Sequence, residues 1–168
     1  MSETFAVASP LGELRRRAER EEDAEFRFRL FCQSRSPALS ALPLPPAAME
    51  QLMRLQFQAQ TTSYRAQFPG AQFDIIELDG RPIGRIIVDR SDARLLIVDQ
   101  AIVPELRNHG IGTAVMHSVM DEARAAALPV RLHVASDNDA SLRLYLRLGF
   151  VPILSSIPMY SELEWKAT

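Results

Sequence analysis

The chain has 168 residues, a formal charge of −2 and a single cysteine, which suits one domain, residues 1–168, with a sizeable core. So even a charge balance gives no global attraction to nucleic acid or to an acidic membrane surface, and a lone Cys32 excludes an internal disulfide and any multi-cysteine metal site. No basic start precedes a long apolar core, and no run approaches the roughly 18 apolar residues of a membrane helix, so a cytoplasmic protein with neither nucleic acid nor membrane as partner is expected.

Residues 13–18 are expected to form a first strand with Arg15 and Arg17 outside, and Glu21, Glu22 and Asp23 to open a helix carrying Phe26, Leu30 and Phe31. Ser36 to Pro46, with Pro37, Pro43, Pro45 and Pro46, reads as a loop. Ala47 to about Phe68 has no internal glycine or proline and carries Met49, Met53, Leu55, Phe57 and Tyr64, a pattern that favours a long helix. Phe73–Leu78 and Pro82–Asp89 are strand-like runs joined by Asp79-Gly80, a dipeptide suited to a tight hairpin.

Leu95 to Val103 is nearly all apolar and is expected to be a central strand covered on both faces. Ile111, Val115, Val119 and Ala123 recur every fourth residue as the core stripe of a helix stopped by Pro129. A strand over residues 130–135 comes next, then a helix from Asn138 to Leu148 with Gly149 beyond its end, and a final strand pair at about Val151–Ser155 and Met159–Lys166.

Between the apolar strand and the helix lies Arg107-Asn108-His109-Gly110-Ile111-Gly112-Thr113. Glycines there allow a ligand close to the backbone, and the unpaired N–H groups and positive end of the helix favour an anion. A strand, glycine turn, helix and parallel strand in that order place an anion site at the carboxyl end of a central strand. The turn lacks the third glycine of the dinucleotide-binding fingerprint, which argues against redox nucleotide binding.

These stretches together resemble the GNAT superfamily of acyl-CoA-dependent N-acyltransferases. Arg107, Gly110 and Gly112 match its Gln/Arg-x-x-Gly-x-Gly/Ala signature, and Asn138, Leu144, Tyr145, Gly149 and Phe150 match a second one, with Ser141 in place of the usual alanine. The resemblance covers about residues 72 to 152, with the cofactor-binding core at about 94–152. It implies an α/β (α+β) fold with a mixed, mostly antiparallel, splayed sheet flanked by helices, and transfer of an acetyl group from acetyl-CoA to a primary amine of a small molecule or peptide by direct attack.

By the same resemblance, the pyrophosphate rests on residues Arg107, Asn108, His109, Gly110, Ile111, Gly112 and Thr113. The pantetheine arm lies along the backbone of Ala101, Ile102 and Val103, with Asn138 contacting that arm or ordering its helix. Tyr145 corresponds to a tyrosine that protonates the leaving thiolate, a role for which a phenol and a thiol of broadly similar acidity are suited.

A base must also free the amine. Asp99 interrupts an apolar strand, where a carboxylate is costly unless paired, hydrated or functionally tuned. His133, on the neighbouring strand, offers an imidazole that exchanges protons near neutrality. Both remain candidates. The second helix borders the acceptor side in the resembled family, which makes Phe57, Gln60, Tyr64 and Gln67 candidate groove residues. No metal is indicated, and a homodimer through pairing of Met159–Lys166 is conceivable. An acyl-CoA-binding regulatory domain without turnover and a transferase of longer acyl groups stay open as alternatives.

Overall fold

The structure, a computed structural model, describes residues 6–35, 39 and 41–167. In chain order the elements are β1 (Ala6–Ser9), β2 (Gly12–Ala18), α1 (Ala24–Gln33), α2 (Pro46–Gln67), β3 (Gln72–Leu78), β4 (Arg81–Arg90), β5 (Leu95–Ile102), α3 (Ile111–Ala126), β6 (Val130–Ala135), α4 (Asp139–Arg147), β7 (Val151–Ile153) and β8 (Tyr160–Trp165). The strands form one sheet in the order β1-β2-β3-β4-β5-β6-β8-β7. β5 and β6 run parallel and the other neighbours antiparallel.

Local sequence explains most boundaries. Asp79 and Gly80, at φ 48° and 79°, make the two-residue turn between β3 and β4. Pro46 occupies the first turn of α2, where a missing N–H is harmless. α3 ends at Ala127 in the left-handed region, two residues before Pro129, and Gly149 takes φ 88° after α4.

Strand alternation then divides the core. Ile76, Ile86, Val88, Ile97 and Leu132 pack with Ile111, Val115, Met116 and Val119 of α3, while Leu142, Tyr145 and Leu148 of α4 lean on the same cluster. Phe28, Phe31 and Met53 join α1 to α2, with Phe57 edge-on to both phenylalanines at 5.7 and 5.4 Å, and α1 packs against β4. Arg17 fastens α1 to the sheet by donating to both oxygens of Asp23 at 2.8 Å and to Glu77 at 2.6 Å.

Several expectations need correction. The first strand is preceded by another, β1, and the turn between them is built on Ser9-Pro10-Leu11-Gly12. Residues 36–38 and 40 of the proline loop lie outside the described residues. On α1 it is Phe28, rather than Phe26, that is buried with Leu30 and Phe31, and Leu55 of α2 is exposed. The final strand β8 sits between β6 and β7, and β7 pairs with its Glu162, Leu163 and Glu164.

The most consequential correction concerns β5. Its pairing with β6 stops after Leu95↔Val130, Leu96↔Arg131 and Ile97↔Leu132. On the other side the register with β4 slips from Val88↔Ile97 to Ile87↔Asp99, leaving Val98 as an extra residue. Such a bulge bends a strand and re-aims the residues beyond it. Leu95 to Ile97 are therefore buried, whereas Val98 to Ala101 are half-exposed along a gap instead of being covered on both faces.

The outer half of β5 is held from the β4 side, where a Cβ on Gly84 would lie 2.5 Å from the Ala101 carbonyl oxygen and 2.7 Å from Ile102 Cδ1. Gly84→Ala is expected to lower stability by about 1–3 kcal/mol, read as a shift of the urea midpoint. An unchanged midpoint would mean that β5 yields at no cost.

Candidate active site

A cleft of about 1000 Å³ passes through this gap. One end is walled by the glycine turn and α4, through Arg107, Asn108, Gly110, Gly112, Thr113, Asn138, Ser141 and Tyr145. The other lies against α1, α2 and β4, through Arg27, Leu30, Phe31, Arg35, Gln60 and Arg85, with Tyr160 at its edge. Asp99, Gln100, Ala101 and Ile102 form the middle. A smaller hollow of about 120 Å³ between β5 and β6 is shared by Asp99, Gln100, His133, Asn138 and Tyr145.

The turn has the conformation its residues suggest. Asn108 and Gly110 lie at φ 61° and 80°, and no atom lies within 4 Å of where a Gly110 Cβ would be. Alternating left-handed residues curl the backbone into a concavity of amides. Gly110 precedes α3 with no side-chain cap, and the carbonyl of Gly110 takes the N–H of Ala114. Earlier N–H groups of the helix have no intrahelical acceptor and face the cleft end with the positive end of the helix dipole.

Two side chains brace this turn from outside. His109 Nδ1 donates to the Arg107 carbonyl at 2.8 Å, and Arg107 Nε donates to the Ile102 carbonyl at 3.0 Å. His109 is exposed, and the Ile111 side chain is buried in the core, so neither side chain lines the cleft.

Hydrogen-bond alternation sorts the strand residues. Val103 N–H donates to Ile83 O at 2.9 Å, and the register Arg85↔Ala101 continues that rhythm. In an antiparallel pair such positions spend their backbone groups on the partner strand, and the intervening ones point away. Ala101 and Val103 are thus committed to β4, while Gln100 presents its backbone groups and Ile102 its N–H to the gap, the Ile102 carbonyl being taken by Arg107. The Gln100 carboxamide donates to Gly112 O at 3.3 Å, and its Oε1 is buried without a partner.

Tyr145 stands where the two faces of the sheet meet. Its ring lies 5.8 Å from Phe150, and burial, then the Asp99 carboxylate, push the phenol up to about 12. Asp99 accepts from Arg85 Nη2 at 2.6 Å, with Arg85 almost fully buried and Asp99 29% exposed. His133 Nε2 lies 3.8 Å from Glu162 and reaches only the smaller hollow. Asn138 Oδ1 accepts from Ser141 N–H at 3.2 Å, so it caps α4 and also lines the cleft.

On the acceptor side, Gln60 lines the cleft, Phe57 packs in the aromatic cluster, and exposed Gln67 donates to Ser63. Tyr64 is raised to about 12 by burial and then by Asp99, with Arg85 and Arg35 acting the opposite way. Burial also raises the Cys32 thiol, which packs beside Phe28 and Phe31.

Sequence reading missed Arg27, Arg35, Arg85, Gln100 and Tyr160. Arg85 had a usable signal, since it is the one charge inside Ile83–Val88 just as Asp99 is inside Leu95–Val103. Two lone opposite charges on adjacent apolar strands are expected to pair.

Known proteins share this fold and part of this sequence. Over 73 residues the chain is 37% identical to a mycothiol acetyltransferase of Nocardiopsis dassonvillei, an alignment covering 43% of this chain and 19% of that protein, so the match spans about a fifth of its relative's length. The PaiA N-acetyltransferase of Thermoplasma acidophilum, solved in complex with coenzyme A, shares the fold with a TM-score of 0.66 at 19% identity, over 92% of this chain and 99% of that one. RimJ of Mycobacterium smegmatis, in complex with CoA-disulfide, gives 0.67 at 16% identity, over 98% and 87%. Residues 39–150 match the Acetyltransferase (GNAT) family, two thirds of the chain and both signatures up to Phe150, and the protein belongs to that family.

Proposed function

We propose that this protein transfers an acetyl group from acetyl-CoA to a primary amine by direct attack within a ternary complex. The observation that carries this reading is the gap between β5 and β6, which runs from an uncapped helix N-terminus at Gly110 to the Asp99 carboxylate. The residues present fit such a cofactor: a concave run of amides suits its phosphates, and the backbone groups of Gln100 and the Ile102 N–H suit an extended arm with amides of its own.

The thioester supplies an acetyl group activated for transfer. The chain's own residues bind, orient and move protons. The turn from Arg107 to Thr113 holds the phosphates, Gln100 and Ile102 align the arm with the backbone of Ala101 between them, and Asn138 steadies the start of α4 beside it. Most of the rate then comes from holding amine and thioester together.

Two protons remain to be placed. An incoming ammonium must lose one, and Asp99 is the acceptor we favour because it lines the cleft, whereas His133 opens only into the hollow behind it. The departing sulfur needs stabilisation, and Tyr145 donates to it. With its phenol near 12, Tyr145 stays protonated at neutral pH and is a weaker acid than a thiol at about 8.5. With a phenol that burial holds well above a thiol, Tyr145 stabilises the departing thiolate by hydrogen bonding and keeps its proton, while the second proton, shed by the nitrogen after attack, passes to the sulfur to give the thiol.

Thiol release from acetyl-CoA, assayed against a panel of amines and peptides beside calorimetric titration of acetyl-CoA alone, tests the whole. Amine-dependent release is expected, and binding without release from any acceptor would instead favour a cofactor-sensing domain. A side chain on Gly112 would point at Gln100 Nε2, 3.6 Å away, and Leu144. Gly112→Leu is expected to weaken acetyl-CoA binding by about 100-fold, or about 2.8 kcal/mol, without moving the melting temperature much. Tyr145→Phe is expected to lower kcat by about 10- to 100-fold with the dissociation constant for acetyl-CoA preserved; full activity would place the donor elsewhere. Asp99→Asn is expected to lower kcat by about 100-fold or more, and a larger loss in His133→Gln would transfer the base to His133.

A further inference from the structure

The acceptor half of the cleft has an unusual charge balance. Arg27, Arg35 and Arg85 all line it. Arg85 pairs with Asp99 at 2.6 Å, and Arg27 with Glu19, whose Oε1 lies 3.3 Å from Arg27 Nη1 and is shared with the exposed Arg65. Arg35 is different: its guanidinium lies over the Phe31 ring at 3.8 Å, and no carboxylate among the described residues pairs with it.

Arg35 is partly buried, and a cation withdrawn from water without a counter-ion is unfavourable. Stacking on an aromatic face pre-organises the fork of a guanidinium and leaves its N–H edges free, an arrangement suited to accept a planar anion. Arg35 and Asp99 both line the cleft, so a cation and a carboxylate face the same space.

Resting on the acetyl-transfer reading, we infer that the acceptor is an amine that also carries a carboxylate, its ammonium drawn toward Asp99 and its carboxylate taken by Arg35. Arg35 offers one planar cation, stacked on Phe31 and without a paired carboxylate among the described residues, which a single carboxylate matches, whereas a phosphomonoester brings close to two negative charges. A simple polyamine would place an additional cation near Arg35. Leu30 and Phe31 add apolar wall beside the fork, which suits a hydrocarbon spacer between the two charges.

Arg35 also lies just past the carboxyl end of α1, where a cation complements the helix dipole. That role alone would affect stability without distinguishing one acceptor from another. The deciding readout is therefore a preference ratio.

Glycine, β-alanine, 4-aminobutyrate, phenylalanine and glycylglycine, each paired with its carboxamide, are titrated calorimetrically into the protein saturated with CoA, for wild type and Arg35→Gln. In at least one pair the acid is expected to bind about 10- to 100-fold more tightly than its carboxamide. In Arg35→Gln that ratio is expected to collapse toward one, and in Arg35→Lys to recover in part. Acetyl-CoA titration of each variant confirms that its cofactor half is folded. Equal binding of acid and carboxamide in every pair, a preference that survives Arg35→Gln, or binding of no member would overturn the inference.

Thiol release with the same amines separates the two readings. Release without a carboxylate preference sinks this inference and leaves the transferase. Tight, Arg35-dependent carboxylate binding with no release from any amine sinks the transferase and leaves the carboxylate site.

Discussion

Everything at the site depends on the parting of β5 from β6 after the Ile97↔Leu132 pair. A parallel pair that continued to Ile102 would bury the backbone groups now offered to the gap and would seal one face of the sheet from the other. The bulge at Val98 falls on the residue after the last pair, so the irregularity on the β4 side coincides with the parting on the β6 side. β4 keeps its hold on the outer half through Arg85↔Ala101 and Gly84↔Ile102. The strand is therefore rigid along one edge and open along the other, as a template for an extended ligand must be.

The gap also explains how residues from opposite layers act on one another. Tyr145 leans on the core beneath α3, while Asp99 and Arg85 point to the side covered by α1 and α2. Asp99 and Tyr145 both border the gap, and the carboxylate adds to burial in raising the Tyr145 phenol. The Arg85–Asp99 pair itself is retained at a cost in desolvation, and Arg85 fixes the carboxylate at the mouth of the gap. Removing Arg85 would leave a half-buried anion free to reorient.

How much of this was legible in the sequence depends on the physics of each feature. The Asp79-Gly80 hairpin, the α3 stripe from Ile111 to Ala123 and the left-handed turn at Gly110 are local, set by φ preferences and by helical period, and they appear where the residues predict them. The Ser9-Pro10-Leu11-Gly12 turn was equally local and was overlooked. The parting of β5 was not legible, because Leu95 to Val103 reads as a uniformly buried strand. One extra residue on one strand, beside a partner strand that lies beyond α3 in the chain and diverges, leaves no trace in composition or period. Arg35 lay next to a proline loop, and only the folded chain brings it to the cleft that Asp99 borders.

The two halves of the cleft thus obey different chemistry. On the turn side the groups that face the cleft are backbone ones, the amides of Gly110 to Thr113 and the edge at Gln100 and the Ile102 N–H, which any sequence of suitable conformation would supply. On the α1 and α2 side recognition uses side chains, with Arg35, Arg85, Asp99, Tyr64 and Gln60 each carrying identity. A site made of backbone depends on conformation more than on side-chain identity, and the fold itself is shared with solved proteins at 16–19% identity. The side-chain half is free to vary, and that is why the acceptor must be read from the charge pattern of this chain and not from its relatives. On the proposed acetyl-transfer reading, Arg35 without a paired carboxylate among the described residues and the Asp99 carboxylate beside the gap would match an acceptor that is itself dipolar.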